Sequence, residues 1–443
     1  MNLLHGGGRQ RQRPGDPVRD AQVAMAEHAL SHIARGLSDP GRMASAATGM
    51  SSLPPELRVI DTGALSMSGG HTGVALLFGV LGDRERAYAH LARAASLPDP
   101  PGSGGLWTGL PALAMATCLT AAAPGDYATL LGQLDTFVAG VVRRRLRAFR
   151  QELTRPRGFH HYDIPYGLTG LGRYLLLRGE HDLVADVLAS LVELTRPIVV
   201  DGDELPGWWV GGGPTLRDVG GYELGHGNLG VAHGITGPLS LLAIAMELGV
   251  RVPGQEAAME RIVEWLLERR LEDGHGPFWP ATVTLPEQLG SRPRSDTAFR
   301  ASWCYGTPGI ARALQLAGRA LGRSSWEEAA VGAMRAMRDR PVTDWGVSGA
   351  SLCHGWAGIL RTSWRIAEDS GDSAVRSIVD TAATQLLALY DAESPFGFRY
   401  PLGHGVEIDV AGAIEGAAGI GLALRSCLLA EARSDWDTLF LLS

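Results

Sequence analysis

An all-α fold built from seven repeated helical hairpins is what this sequence predicts, on three observations. A glycine-rich turn followed by an apolar helical run recurs as "GGHTGVALLFGVL" from 69, "LWTGLPALAMA" from 106, "YGLTGLGRYLLL" from 166 and "AHGITGPLSLLAIA" from 232. It continues as "CYGTPGIARALQLA" from 304, "CHGWAGILRTSWRIA" from 353 and "IEGAAGIGLALRSCLLA" from 414. The intervals between copies leave room for two helices each, at ~1.5 Å rise per residue. Finally, the run after each turn is apolar nearly all round, which suits an inner helix, whereas the intervening segments carry apolar residues at helical spacing. Seven such hairpins side by side either leave two open ends or close into a ring. Closure gives an α/α toroid, a double ring of seven inner and seven outer helices whose turns meet around one mouth.

Along the chain, "MNLLHGGGRQRQRPGDP" is charged with no apolar stretch behind it, which argues against a secretory signal. Residues 1–20 are expected to be disordered, and 21–443 to form a single domain. The closing glycines of the seven turns are Gly73, Gly109, Gly170, Gly237, Gly309, Gly358 and Gly419; only the second copy lacks an opening glycine, with Leu106 in its place. They permit tight turns and close backbone approach where an outer helix gives way to an inner one. "QEAAMERIVEWLLERR" (255–270) and "SAVRSIVDTAATQLLALY" (373–390) are the clearest outer helices. Two stretches, 196–223 and 276–296, are rich in Gly, Pro and β-branched or aromatic residues and read as loops with short strands on the rim.

Composition narrows the function. The 443 residues are 45% hydrophobic, enough for a substantial core, and the net charge of -7 argues against a nucleic-acid partner. All 40 basic residues are arginine, so a Schiff-base lysine and a P-loop lysine are both impossible. The longest uncharged run, Leu224 to Met246, holds five glycines, two histidines and a proline and makes a poor membrane span. Four cysteines point to thiol or metal chemistry more than to a disulfide framework.

The chemistry gathers in the two positions before each opening glycine. These hold Ser68 and Gly69, Gly104 and Gly105, Pro165 and Tyr166, Ala232 and His233, Cys304 and Tyr305, Cys353 and His354, and Ile414 and Glu415. If the turns share one mouth, Cys304, Cys353 and His354 converge into a set suited to zinc, with a fourth tetrahedral position open for water or a substrate thiol. The plain alternative is two buried cysteines and a hydrogen-bonded histidine. His233 is a candidate acid or base, or a histidine capping its turn. Asp163 and Arg300 lie four and six residues before their glycines; either could face the cavity, and either also reads as a surface ion pair or helix cap. "GHGNLG" (225–230) matches a dinucleotide-binding pattern without the strand context that pattern needs. Trp208 and Trp209 suit a rim binding surface or core packing, and Cys118 and Cys427 read as buried filler.

Four blocks in order, "YDIPYGLTGLGRYLL", "GVAHGITG", "WCYGTPG" and "CHGWAG", resemble the signature blocks of the LanC family of lanthionine synthetase cyclases, over residues 25–443. The resemblance implies an α/α toroid with one zinc per chain held by Cys304, Cys353 and His354. It matches His233, Asp163 and Arg300 to residues important for activity, and Tyr305 to a further active-site residue. It implies a stand-alone class I lanthipeptide cyclase acting on a dehydrated precursor peptide, leader plus core, and adding cysteine thiolates to dehydroalanine or dehydrobutyrine. The implied partners are a separate dehydratase and a transporter complex, and the implied location is cytoplasmic, with peripheral membrane association through that complex. A non-catalytic relative binding glutathione or a peptide is the alternative. A prenyltransferase would need a carboxylate zinc ligand and a diphosphate-binding cluster, and a toroidal glycosidase two cavity carboxylates; the columns offer only Glu415.

Overall fold

Helices apolar on every side must be covered on every side, and helices apolar on one stripe can do the covering. The chain resolves this as two concentric layers. The structure, a computed structural model, describes residues 17–43, 60–98, 104–151, 155–214, 221–291, 297–403, 405–429 and 435–443. Of the segment expected to be disordered, residues 1–16 lie outside the described residues, and Pro17 to Asp20 form the first turn of a helix.

Outer and inner helices alternate along the chain as seven hairpins. They are α1 (Pro17–Leu37) with α2 (His71–Val80), α3 (Arg84–Ala95) with α4 (Gly109–Thr120), α5 (Ala128–Gln151) with α6 (Leu168–Arg178) and α7 (His181–Leu194) with α8 (Thr236–Glu247). The rest are α9 (Gln255–Glu268) with α11 (Thr307–Leu321), α12 (Ser324–Asp339) with α13 (Trp356–Ser370), and α14 (Ser373–Ala388) with α15 (Ala417–Cys427); α10 (Leu285–Gln288) is a single turn between α9 and α11. In α8 every residue from Thr236 to Met246 is buried, while α14 buries only Val375, Ile378, Val379, Ala382, Ala383, Leu386 and Leu387. The last hairpin packs against the first, α15 on α1 and α2, so the ring is closed.

A girdle of backbone hydrogen bonds runs through the turns. Met67 N–H donates to Trp107 O, Trp107 to Pro165, Ile164 to Ala232, and Val231 to Cys304. Cys304 N–H then donates to Cys353 O, Cys353 to Ile414, and Ile414 back to Met67, at 2.9 to 3.3 Å around the ring. Each turn donates to the next in cyclic order. The closing glycines make this approach possible: a Cβ on Gly419 would stand 1.9 Å from the Ala413 carbonyl oxygen, and one on Gly309 2.1 Å from that of Trp303.

The centre of the inner ring is filled by residues 435–443. Trp303 Nε1 donates to Phe440 O (3.1 Å), Arg173 to Ser443 O (2.9 Å) and Arg312 to Leu442 O (2.7 Å). Asp437 is buried and accepts from Arg361 (2.8 Å) and Arg365 (2.6 Å).

Among the described residues the rim carries four two-stranded antiparallel sheets: β1 (Ile198–Val200) with β2 (Asp203–Leu205), β3 (His226–Asn228) with β6 (Thr282–Thr284), β4 (Leu271–Asp273) with β5 (Gly276–Phe278), and β7 (Tyr400–Gly403) with β8 (Val406–Ile408). The first three lie in or beside the stretches read as strand-bearing loops, and β7–β8 was not foreseen. Trp208 and Trp209 are buried and belong to the core, as does Cys427, while Cys118 packs partly buried against it. No helix among the described residues is long and apolar enough to cross a membrane.

Candidate metal centre and active site

Because the girdle includes the residue two before the opening glycine in five successive turns, from Pro165 to Ile414, the residue that follows it is carried to the mouth each time. Cys304 and Cys353 are joined directly, backbone to backbone, at 3.2 Å. Their sulfur atoms and one imidazole nitrogen of His354 all lie within 4.8 Å of one another. His354 Nε2 is engaged by the Tyr400 hydroxyl at 3.0 Å, so Nδ1 is the nitrogen this contact leaves free for a metal. A second partner that fixes the ring in this way is the usual companion of a metal-binding histidine.

The thiols do not share a proton equally. Cys304 is held well below the ordinary thiol range, first by its bond from Cys353 and then, against burial, by the bond and charge of His354 and the charge of Arg300. Cys353 is pushed up by the same bond and by burial. Burial disfavours a charged His354, yet the bond to Cys304 together with the charges of Cys304 and Glu415 outweighs this and raises it. Two soft sulfur donors and an oriented imidazole, with thiolate already favoured at one sulfur, fit a metal ion of the zinc kind.

His233 faces the same mouth. The N–H of Val231 donates to Cys304 O at 2.9 Å, so the fourth and fifth turns are stitched together beside the cluster. His233 Nδ1 meets Asp163 Oδ2 at 2.7 Å. Asp163 is fully buried, and its other oxygen accepts the backbone N–H groups of Tyr166 (2.9 Å) and Gly167 (2.7 Å). It thus caps its own turn and orients the histidine at once. The bond places the histidine proton on Nδ1 and leaves Nε2, which meets no described residue, available to substrate. The rings of Phe159, Tyr305 and Tyr166 surround His233 at 4.9, 6.3 and 6.4 Å.

Tyr305 accepts a hydrogen bond from Asn228 Nδ2 at 3.1 Å. Arg300 is exposed at the same edge, and its charge bears on Cys304, Cys353 and His354. Glu415 occupies the matching position of the seventh turn; burial pushes its carboxyl up to about 7, and its Oε2 has no partner among the described residues. All seven residues singled out in the sequence therefore gather at one mouth. Tyr400, Asn228 and Phe159 went unnoticed, and none stands at a repeat position.

Comparison with known proteins follows the same lines. A family model described as lanthionine synthetase C-like protein matches residues 62–441. The nisin biosynthesis protein NisC of Lactococcus lactis subsp. lactis is 23% identical over 356 residues, covering 76% of this chain and 83% of that protein. The solved structure of a nisin cyclase superposes with a TM-score of 0.68 at 21% identity, covering 91% of this chain and 98% of that one. At this identity the structural likeness speaks to the fold, an α/α toroid.

Proposed function

The chain belongs to the lanthionine synthetase C-like family, and from that premise we propose that it is a zinc-dependent lanthipeptide cyclase. The observation that carries the reading is the convergence of Cys304, Cys353 and His354 beside the His233–Asp163 pair. Zinc held by Cys304, Cys353 and His354 supplies a positive charge that makes a peptide thiol beside it more acidic.

The reaction is an intramolecular addition. The cysteine sulfur forms a bond to the β-carbon of dehydroalanine or dehydrobutyrine, the alkene electron pair moves toward the carbonyl as an enolate, and the α-carbon then takes a proton. One proton leaves the thiol and one arrives at carbon, so the sum is neutral. His233, with Nε2 free and Nδ1 held by Asp163, takes the first or delivers the second. Arg300 offsets the enolate charge. Tyr305, whose oxygen already accepts from Asn228, keeps its own proton to donate in the same place. The peptide comes from a separate dehydratase, and the cyclase acts in the cytoplasm as a stand-alone class I enzyme, alongside a transporter.

Two measurements test this. Elemental analysis should find about one zinc per chain, reduced in Cys304→Ala and Cys353→Ala. Thiol titration with a dehydrated Ser/Thr/Cys peptide should show loss of free thiol without change in mass. His233→Ala should keep its zinc and lose ring formation. A peptide that binds with no loss of thiol would overturn the enzyme reading and favour a binding protein.

A further inference from the structure

Outside the mouth, the strongest unassigned feature is a run of arginines on α5 and the segment after it. Residues 143–157, "RRRLRAFRQELTRPR", hold seven arginines and one glutamate in a chain whose net charge is -7. One or two cations near a helix C-terminus are what its dipole favours. Five within the eight residues 143–150 exceed that. Arg143, Arg144 and Arg147 are exposed and form no ion pair with any described residue; Arg150 is paired with Asp186 at 3.2 Å.

The run leads to the site. Arg145 donates to His160 O (3.5 Å) and to Gly104 O (3.3 Å), the latter in the second turn of the mouth. Although burial lowers it, Arg145 also feels the charge of Asp163. His160 is exposed and follows Phe159, whose ring lies 4.9 Å from that of His233. Arg145, on the half-buried side, thus ties the helix to the second turn of the mouth, while Arg143, Arg144 and Arg147 stand on the exposed side of the same helix.

We propose that this face of α5 is the docking track for an acidic segment of the peptide substrate, lying outside the stretch that forms rings. This rests on the peptide-cyclase reading above. Arg143 and Arg147 recur at i, i+4 and share one face of the helix, with Arg144 beside them. The nine residues from Arg143 to Gln151 span about 12 Å of helix, which about four residues of extended peptide would cover at ~3.3 Å each. A segment with three or four Asp or Glu residues matches that length and charge, on a helix that Arg145 ties to the turn carrying Gly104.

The test uses the full chain and two labelled synthetic peptides, one with four Glu residues and one with Gln in their place, followed by fluorescence anisotropy at low and high salt. The Glu peptide should bind, weaken with salt, and lose about tenfold in affinity in Arg143→Ser/Arg144→Ser/Arg147→Ser. The control Arg19→Ser/Arg84→Ser/Arg323→Ser, which removes the same charge near the opposite ends of outer helices, should stay within about twofold. Equal weakening by both triples, no binding, or stronger binding to phosphatidylserine vesicles than to the Glu peptide would overturn the proposal. Ring formation on a short dehydrated peptide lacking acidic residues separates the two readings. The triple variant should leave it unchanged; if the cyclase reading fails, no ring forms in any variant, whereas if only the track fails, rings form and an acidic extension brings no gain.

Discussion

At the scale of single residues, the site divides into groups the repeat announces and groups it conceals. Cys304, Cys353, His354, His233 and Tyr305 stand in equivalent positions of successive turns, so alignment of the turns predicts their meeting. Asp163 was legible only as a residue with two meanings, and the structure joins them, because one carboxylate oxygen caps the turn and the other holds His233. Tyr400 was illegible because it stands on β7, in a rim segment whose sequence does not repeat from copy to copy. Its role is nonetheless testable. The Tyr400 hydroxyl on His354 Nε2 should orient the ring for a metal at the other nitrogen, and loss of such a partner lowers metal affinity by roughly 10- to 100-fold. Tyr400→Phe should therefore keep its fold by circular dichroism and release zinc to a chelator more readily. Unchanged zinc affinity would reduce Tyr400 to packing.

At the scale of elements, the turns were readable and their tightness was not. Sequence shows that a glycine closes each turn. The structure shows why at six of the seven, all but Gly109: the Cα packs against the carbonyl oxygen of the residue six before it, and a Cβ on Gly419 would come within 1.9 Å of backbone that the girdle holds in place. Gly419→Ala should lower stability by about 2 kcal/mol or more, as overpacking of a rigid site does, and a chemical denaturation midpoint will show it. The α1–α3 region holds a second element-level feature that no pattern revealed. His71 and His90 are buried with their Nδ1 atoms 3.0 Å apart, and His90 Nε2 donates to Leu37 O at 2.9 Å. Burial lowers both to about 4, for His71 with the help of its neighbour's charge. Because the folded values lie below the ordinary 6.5, the stability they contribute is complete above pH 6.5 and is lost as pH falls toward 4, by up to about 1.4 kcal/mol per pH unit for each histidine. His90→Gln should flatten that loss in denaturation curves taken between pH 7 and 4; an unchanged slope would assign the acid sensitivity elsewhere.

At the scale of the whole molecule, sequence left one choice open, between a stack with two ends and a closed ring. The girdle decides it, since the seventh turn donates to the first. What fills the ring was also written in the sequence, in a sign easily passed over. Arg173, Arg312 and Arg361 each stand six residues after an opening glycine, within inner helices, and all three are almost wholly buried. A buried guanidinium needs a partner, and three at one repeat position need a partner on the ring's axis. Residues 435–443 are that partner, through two carbonyl oxygens and Asp437. Burial alone would make Asp437 harder to ionise, but Arg361 and Arg365 hold it well below the usual carboxylate range. Asp437→Asn keeps the shape and removes the charge, leaving two cations facing a neutral amide, and breaking such a buried pair costs about 3–5 kcal/mol. In an open array that loss would stay with neighbouring repeats and the transition would broaden. In a closed ring with a shared axis no hairpin can unravel alone, so tryptophan fluorescence and far-ultraviolet circular dichroism should shift together to lower urea in one sharp step. Separate transitions for the two signals would show that the segment docks on a ring already stable without it.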